Sequence, residues 1–332
     1  MKFVPLFGPQ KFLIMPPSHF LRKILFYLFI ISLISSCHST FDFDPIERND
    51  SEDVNNVPVV DPFDDNDQDD PESFGLAESY CYGFSAPTGN IAEIDIDIDF
   101  PEAHDLSFLL PPVGSQGFQG SCVAWATGYY LKSFQENLED SKNGQTIINN
   151  QMSPAFVYNQ IKVGSCAEGS SIPSAFELIS NTGIVTWQEM PYNQNECNTQ
   201  PTENQNNLAQ INRIESFASL NGDALFDQAK AFLLNSQPLV IAISIDRQFF
   251  GKIDLNGDAV YRDFDKVDGA HAMLVVGYDD SKNAFKVVNS WGRNWGNNGF
   301  VWIDYKAFRE VLDTDSDFKI LCEAWVSMDV IQ

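Results

Sequence analysis

The chain has 332 residues, 44% of them hydrophobic, and 46 acidic against 20 basic residues for a formal charge of -26. This length fits one large domain or two small ones with a sizeable core. The excess of acid excludes nucleic acid as a partner, because phosphate contacts need clustered Lys and Arg, and beyond a solvated surface it specifies no substrate.

In chain order, Arg22 and Lys23 precede the apolar run ILFYLFIISLISS and then Cys37. The run is short for a membrane span, which takes about 20 residues, and follows a basic segment as a secretory h-region does. Residues 1–36 are read as a signal peptide, with Met15 as an alternative start. The ending Ile34-Ser35-Ser36-Cys37 resembles the lipobox of bacterial lipoproteins. That resemblance implies an exported protein, lipid-anchored through Cys37 at a bacterial cell envelope or surface. The plainer reading is an ordinary signal peptide cut near Ser36 or Cys37, or an uncleaved anchor. Residues 37–80, dominated by Asp, Glu, Asn and Pro, bury too little apolar surface to fold and are read as an acidic disordered tether. The folded domain is assigned to 81–332.

Ile94 to Phe100, IDIDIDF, alternates strictly and predicts a half-buried strand. From Ser121 a helical stripe runs through Val123, Thr127, Tyr130, Leu131, Phe134 and Leu138, which places Cys122 in the first turn of a helix. A second helix starts at Ser153 with Pro154 at its first position, and a third spans about 173–181 and stops at Gly183. A fourth covers 223–235. Beyond Pro238 the chain supplies LVIAISI, AHAMLVVGY, AFKVVNS, GFVWIDY and EAWVSMDV, short β-rich runs between Asp, Asn, Gly and Lys turns. Helices first and strands later predict an α+β protein with two segregated lobes.

Three separated segments carry reactive groups. QGFQGSC holds Gln116 and Cys122, GAHAM holds His271, and NSWG holds Asn289. A thiol is mostly protonated near neutral pH, so a nucleophilic Cys needs a helix N-terminus or an imidazolium to favour its thiolate. Of the four histidines, His19 and His38 lie in the leader and tether and His104 in a stretch without other catalytic signals, which leaves His271. Asn289 could fix the tautomer of that ring, and Gln116 could set a side-chain N–H beside the Cys122 N–H to receive an oxyanion. Singly each has a blander account: a buried small hydrophobe, a structural His, a turn. Their joint order is far more specific.

Taken together these segments resemble the papain family of cysteine peptidases, over about 110–325. QGFQGSC is similar to the family's run from oxyanion Gln to nucleophile, GAHAMLVVGY to its His strand, and NSWGRNWGNNGFVWI to its Asn segment. The resemblance implies a two-lobed α+β fold, a helical N-terminal lobe and an antiparallel β-sheet or barrel C-terminal lobe with the active-site cleft between them. It implies Cys122 as nucleophile, His271 as base, Asn289 as orienter and Gln116 as oxyanion donor. Trp291 would shield the His271 to Asn289 bond from water. SSIPSAFELISNTGIVTWQEMPY resembles the helix and loop bordering the substrate cleft, with the backbones of Gly169 and Ser170 against an extended substrate. Ala270 and Ala272 would line a pocket for an apolar side chain. The expected reaction is hydrolysis of peptide or protein substrates through a thioester, by a monomer needing no cofactor and no metal.

The chain departs from the family's C-G-S-C-W signature with Gln119, Gly120, Ser121, Cys122 and Val123. The first Cys and its bridge are gone, and Trp125 stands one turn beyond the missing Trp. Asn289 lies 167 residues after Cys122, beyond the usual ~130–150, as loop insertions would produce. The tether shows no helical pattern of an inhibitory propeptide. Apart from Cys37 and Cys122, four cysteines allow three pairings; the resemblance favours Cys166 with Cys197, which leaves Cys81 with Cys322. Asp254, Asn256 and Asp258 have the alternate spacing of a calcium loop, but Ala259 and Asp265 replace its Gly and Glu, so a turn at Asn256-Gly257 is preferred. DTDSD at 313–317 reads as a solvated loop. Two rival functions share this site: an inactive surface protein that binds peptides, and another acyl transfer, such as amide exchange or peptidoglycan crosslink cleavage. Labelling of Cys122 by a thiol-directed epoxide separates enzyme from binder, and product analysis separates the two reactions.

Overall fold

The computed structural model describes residues 94–144, 150–222, 224–250, 260–262, 264, 269–309 and 320–330, all within one compact unit, Asn56–Gln332. The signal-peptide and tether readings, Cys37, Cys81, the Asn256-Gly257 turn and the DTDSD stretch fall outside them. None of the described helices is long and apolar enough to cross a membrane.

The expected strand over 94–100 does not form; the first strand is β1, Ala103–Asp105. The Asp95 carboxylate accepts from the Asp97 N–H at 3.0 Å, a local bond that competes with a ladder, and although Ile94 packs against the core, Ile96 is 36% exposed, so the alternation does not hold one face inward. The helix after Ser121 does form. It opens as α1 (Cys122–Ala124), widens into a π-helical stretch over Trp125–Lys132, and returns to α2 (Ser133–Lys142). Within the wide stretch the Thr127 hydroxyl donates to the Val123 carbonyl at 2.7 Å, drawing a helical acceptor out of its ladder. α3 (Pro154–Ile161) has Ser153 as its cap, its hydroxyl accepting from the Phe156 N–H. α4 (Ile172–Asn181) begins one residue earlier than expected and ends before Gly183, whose φ is +88°.

Several elements went unread in the sequence, among them a helix and a strand between residues 203 and 220. α5 (Glu203–Ala209) starts with a reciprocal capping box between Thr202 and Gln205, and β2 (Ile214–Leu220) follows it. α6 (Leu225–Leu234) precedes β3 (Leu239–Ile245), and α7 (Arg247–Phe250) and β4 (Val260–Tyr261) come before the long β5 (Gly269–Asp279). The chain continues through β6 (Ala284–Val288), β7 (Phe300–Asp304), α8 (Lys306–Arg309) and β8 (Leu321–Asp329). The sheet runs β2-β8-β3-β5-β6-β7-β4, with β1 on the far end of β5. Pairings are antiparallel except β4 with β7.

β3 is buried along its whole length and β5 everywhere but its two end residues, which is why both read as unbroken apolar runs. α1 and the π-helical stretch pack directly on β5. One hydrophobic cluster joins Trp125, Phe134 and Phe156 of the helices to Val240, Leu274 and Trp325 of the strands. The helical and β halves are therefore two sides of one core, and the helix that starts at Cys122 packs on the strand that carries His271.

Candidate active site

β5 carries His271 near its N-terminal end, buried and paired with Ile243 of β3, and Asn289 follows the last residue of β6. Their side chains meet: His271 Nε2 lies 2.7 Å from Asn289 Oδ1. A carboxamide oxygen only accepts, so Nε2 holds the proton and Nδ1 is left with the basic lone pair. Asn289 Oδ1 accepts a second bond from the Ser290 N–H at 2.7 Å, which fixes the carboxamide. Nδ1 makes no hydrogen bond to the described residues. The Trp291 ring lies over the imidazole, centroids 4.5 Å apart at 32°, and Phe250 stacks on Trp291 at 5.6 Å and 15°. This aromatic wall keeps water from the His271 to Asn289 bond.

Cys122 is the free cysteine among the described residues. It begins α1, and the backbone N–H groups of Ala272, Val123 and Cys122 itself lie close enough to its sulfur to favour the thiolate. Desolvation outweighs them: the thiol and the imidazole are both 0% exposed. Burial pushes the Cys122 thiol up to about 12 and the His271 imidazole down to about 4, with the Asn289 bond opposing the latter. Burial thus favours the neutral thiol and the neutral imidazole.

Gln116 is equally buried. Its Oε1 accepts from the Ser290 hydroxyl at 2.7 Å, which assigns the amide orientation, and its Nε2 donates to the Gln119 carbonyl at 2.8 Å. Its backbone N–H donates to the Ser290 carbonyl at 2.8 Å. Ser290 thus couples Gln116 to Asn289. Nothing but its position beside Asn289 marks it in the sequence.

The remaining expected residues lie around this centre. The carbonyl of Gly169 accepts from the Val163 N–H at 3.1 Å, and Ser170 is fully buried. Ala270 and Ala272 are buried on β5 opposite Ser244 and Ala242; strand alternation turns their methyls away from the imidazole. Cys166 and Cys197 form a disulfide, and Cys322 is disulfide-bonded.

Tyrosines brace the site in ways that no spacing announced. The Tyr130 hydroxyl accepts from the Gly114 N–H at 3.2 Å and donates to the Asn289 carbonyl at 2.9 Å. Tyr158 donates toward the carbonyls of Cys166 and Glu168, at 2.8 and 2.6 Å. Gly120 packs so tightly under that rim that a Cβ would lie 2.7 Å from the carbonyl oxygens of Ala167 and Glu168.

Comparison with known proteins identifies the family and the fold. A family model described as papain family cysteine protease matches residues 100–313. An uncharacterized peptidase C1-like protein of Acanthamoeba polyphaga mimivirus is 24% identical over 220 residues, 63% of this chain and 68% of that protein. A probable cysteine protease of Arabidopsis thaliana is 31% identical over 145 residues, covering 42% of this chain and 38% of its own length. The structure is similar to that of xylellain, a cysteine protease from Xylella fastidiosa, with a TM-score of 0.57 at 23% identity over 80% of this chain and 94% of that one.

Proposed function

We propose, because the chain belongs to the papain family of cysteine proteases and is a cysteine-type peptidase, that Cys122, His271, Asn289 and Gln116 carry out its hydrolysis of peptide bonds. The observation that carries this reading is the tautomer of His271. Its Nε2 proton is held by Asn289 at 2.7 Å, so the free lone pair on Nδ1 belongs to the atom able to accept from a thiol on the adjoining helix.

Rotation of the Cys122 side chain brings Sγ–H to Nδ1, which takes the proton as sulfur attacks the substrate carbonyl carbon. The new C–S bond drives the carbonyl π pair onto oxygen. Gln116 Nε2 leaves the Gln119 carbonyl and, with the Cys122 N–H, donates to that oxyanion. Imidazolium Nδ1–H then protonates the leaving nitrogen as the C–N bond breaks. Water, deprotonated by the same imidazole, opens the thioester and restores the thiol.

Cys122→Ala should abolish turnover of peptide substrates while leaving the thermal midpoint within a few degrees. Hydrolysis by that variant at the wild-type rate would sink the assignment.

The leader completes the proposal. A basic segment, an apolar run and small residues before Cys37 support export and lipidation at that cysteine, with the domain acting as a monomer on peptide or protein substrates. Cys37→Ala should move the protein from the membrane to the soluble fraction; unchanged membrane association and no incorporation of labelled fatty acid into the wild type would refute it.

A further inference from the structure

We infer that Tyr192 is a positioning residue for the oxyanion hole, holding the Gln116 to Cys122 loop from outside the site; the inference rests on the catalytic reading above. Its hydroxyl lies 2.7 Å from the Gln116 carbonyl and 2.7 Å from the Ser121 hydroxyl. A carbonyl only accepts, so the phenol donates to Gln116 and must accept from Ser121. The directed chain Ser121 Oγ–H to Tyr192 Oη–H to Gln116 C=O therefore spans the loop from the residue bearing the side-chain donor to the residue preceding the nucleophile.

The ring that carries this hydroxyl is itself held. It meets Trp125, three residues past Cys122, edge-on at 5.1 Å and Trp187 at 6.2 Å. Ser121 is fully buried and its hydroxyl makes no capping bond to its own helix. Tyr192 satisfies it instead.

A second tie runs between the same two segments. Gln119 Nε2 donates to the carbonyls of Asn193 at 2.8 Å and Glu196 at 3.2 Å. Cys197, next along, is bonded to Cys166, and the Cys166 carbonyl accepts from the Gly120 N–H at 2.9 Å. Loop 116–121, segment 192–197 and rim residue 166 thus close a ring around the site. Gln119 stands where the family signature has a cysteine, so here hydrogen bonds hold this part of the loop.

Both oxyanion donors sit on the loop Tyr192 clamps, the carboxamide at one end and the Cys122 N–H at the other. Their separation decides how well a developing oxyanion is bound. Removing the phenol hydroxyl leaves Ser121 short of a partner and the Gln116 carbonyl with only the 3.5 Å bond from the Gln119 N–H, and lets that separation drift.

The test compares wild type, Tyr192→Phe and Ser121→Ala on a fluorogenic peptide, alongside alkylation of Cys122 by iodoacetamide, which develops no oxyanion. Tyr192→Phe should lower kcat at least about tenfold, below the ~10²–10³ lost with an oxyanion donor itself. KM and the alkylation rate should stay within about threefold of wild type. Ser121→Ala should show the same split with a smaller loss, and it decides the matter if Tyr192→Phe does not fold. The inference is overturned if kcat stays within twofold of wild type, or if alkylation slows as much as turnover. A wild-type chain that cleaves no peptide overturns the catalytic reading instead, and the two failures are distinct.

Discussion

Burial moves Cys122 and His271, the two residues proposed to react, in opposite directions, and on that proposal this sets the acid limb of the pH profile. The productive form shares one proton between Cys122 and Nδ1 of His271, and a second proton on the imidazole blocks it. Since His271 is held down at about 4, kcat/KM should persist well below the ordinary imidazole value of ~6.5 and fall through about 4. Asn289→Ala removes the bond that favours imidazolium, so the limb should move lower still while kcat drops. A limb near 6.5 in both proteins would contradict this. The four residues proposed for catalysis could be picked out because each sits in a short, ordered segment. Ser290 and Tyr192 were not: Ser290 reaches Gln116 across 174 positions and Tyr192 reaches Ser121 across 71, and no local pattern encodes such a contact.

Among the elements, those with a cap or unbroken apolar run were readable, such as α3 from Ser153-Pro154 and β3 from LVIAISI. IDIDIDF failed although its period was perfect, because alternation predicts a strand only where a neighbouring strand offers a ladder. α5 was missed despite its T-x-x-Q box, since its exposed, Asn-rich body has no apolar stripe to draw attention. The Cys166 to Cys197 bridge joins the residues just before α4 to those just before α5 across a separation of 31. Replacing both cysteines by serine should cost about 3–4 kcal/mol by the loop-entropy account, read by urea unfolding with a free-thiol count. Gly120→Ala acts at the same rim: its Cβ meets two backbone carbonyls, which cannot yield as a side-chain tip would. That variant should lower kcat/KM at least tenfold and reduce the thermal midpoint by several degrees, and normal values for both would show that the rim has slack.

Across the whole molecule, burial of the thiol and of the imidazole makes stability depend on pH from both sides. Between about 4 and 6.5 the unfolded chain binds a proton at His271 that the folded chain refuses, so stability falls as pH falls through that window. The loss is at most about 3 kcal/mol, because each tenfold weakening of proton affinity is worth ~1.4 kcal/mol. Between the ordinary thiol value of 9.0 and about 12 the unfolded chain loses a proton that folded Cys122 keeps, so stability falls as pH rises. Urea unfolding of wild type, His271→Gln and Cys122→Ala at pH 4.5, 7 and 10.5 checks both arms. His271→Gln should flatten the acid arm and Cys122→Ala the alkaline one, and parallel curves for all three would refute the linkage.

By itself the sequence determined the reaction class, because a thiol, an imidazole and two carboxamides in that order and context serve acyl transfer, and it determined the α+β division, because hydrophobic period shifts from helical to strand-like near Pro238. Only the tertiary structure decided which nitrogen of His271 is basic, where the Gln116 amide points and what holds the loop between Gln116 and Cys122. Those are questions of hydrogen-bond direction between groups far apart in the chain, and direction exists only once folding has set a donor against an acceptor.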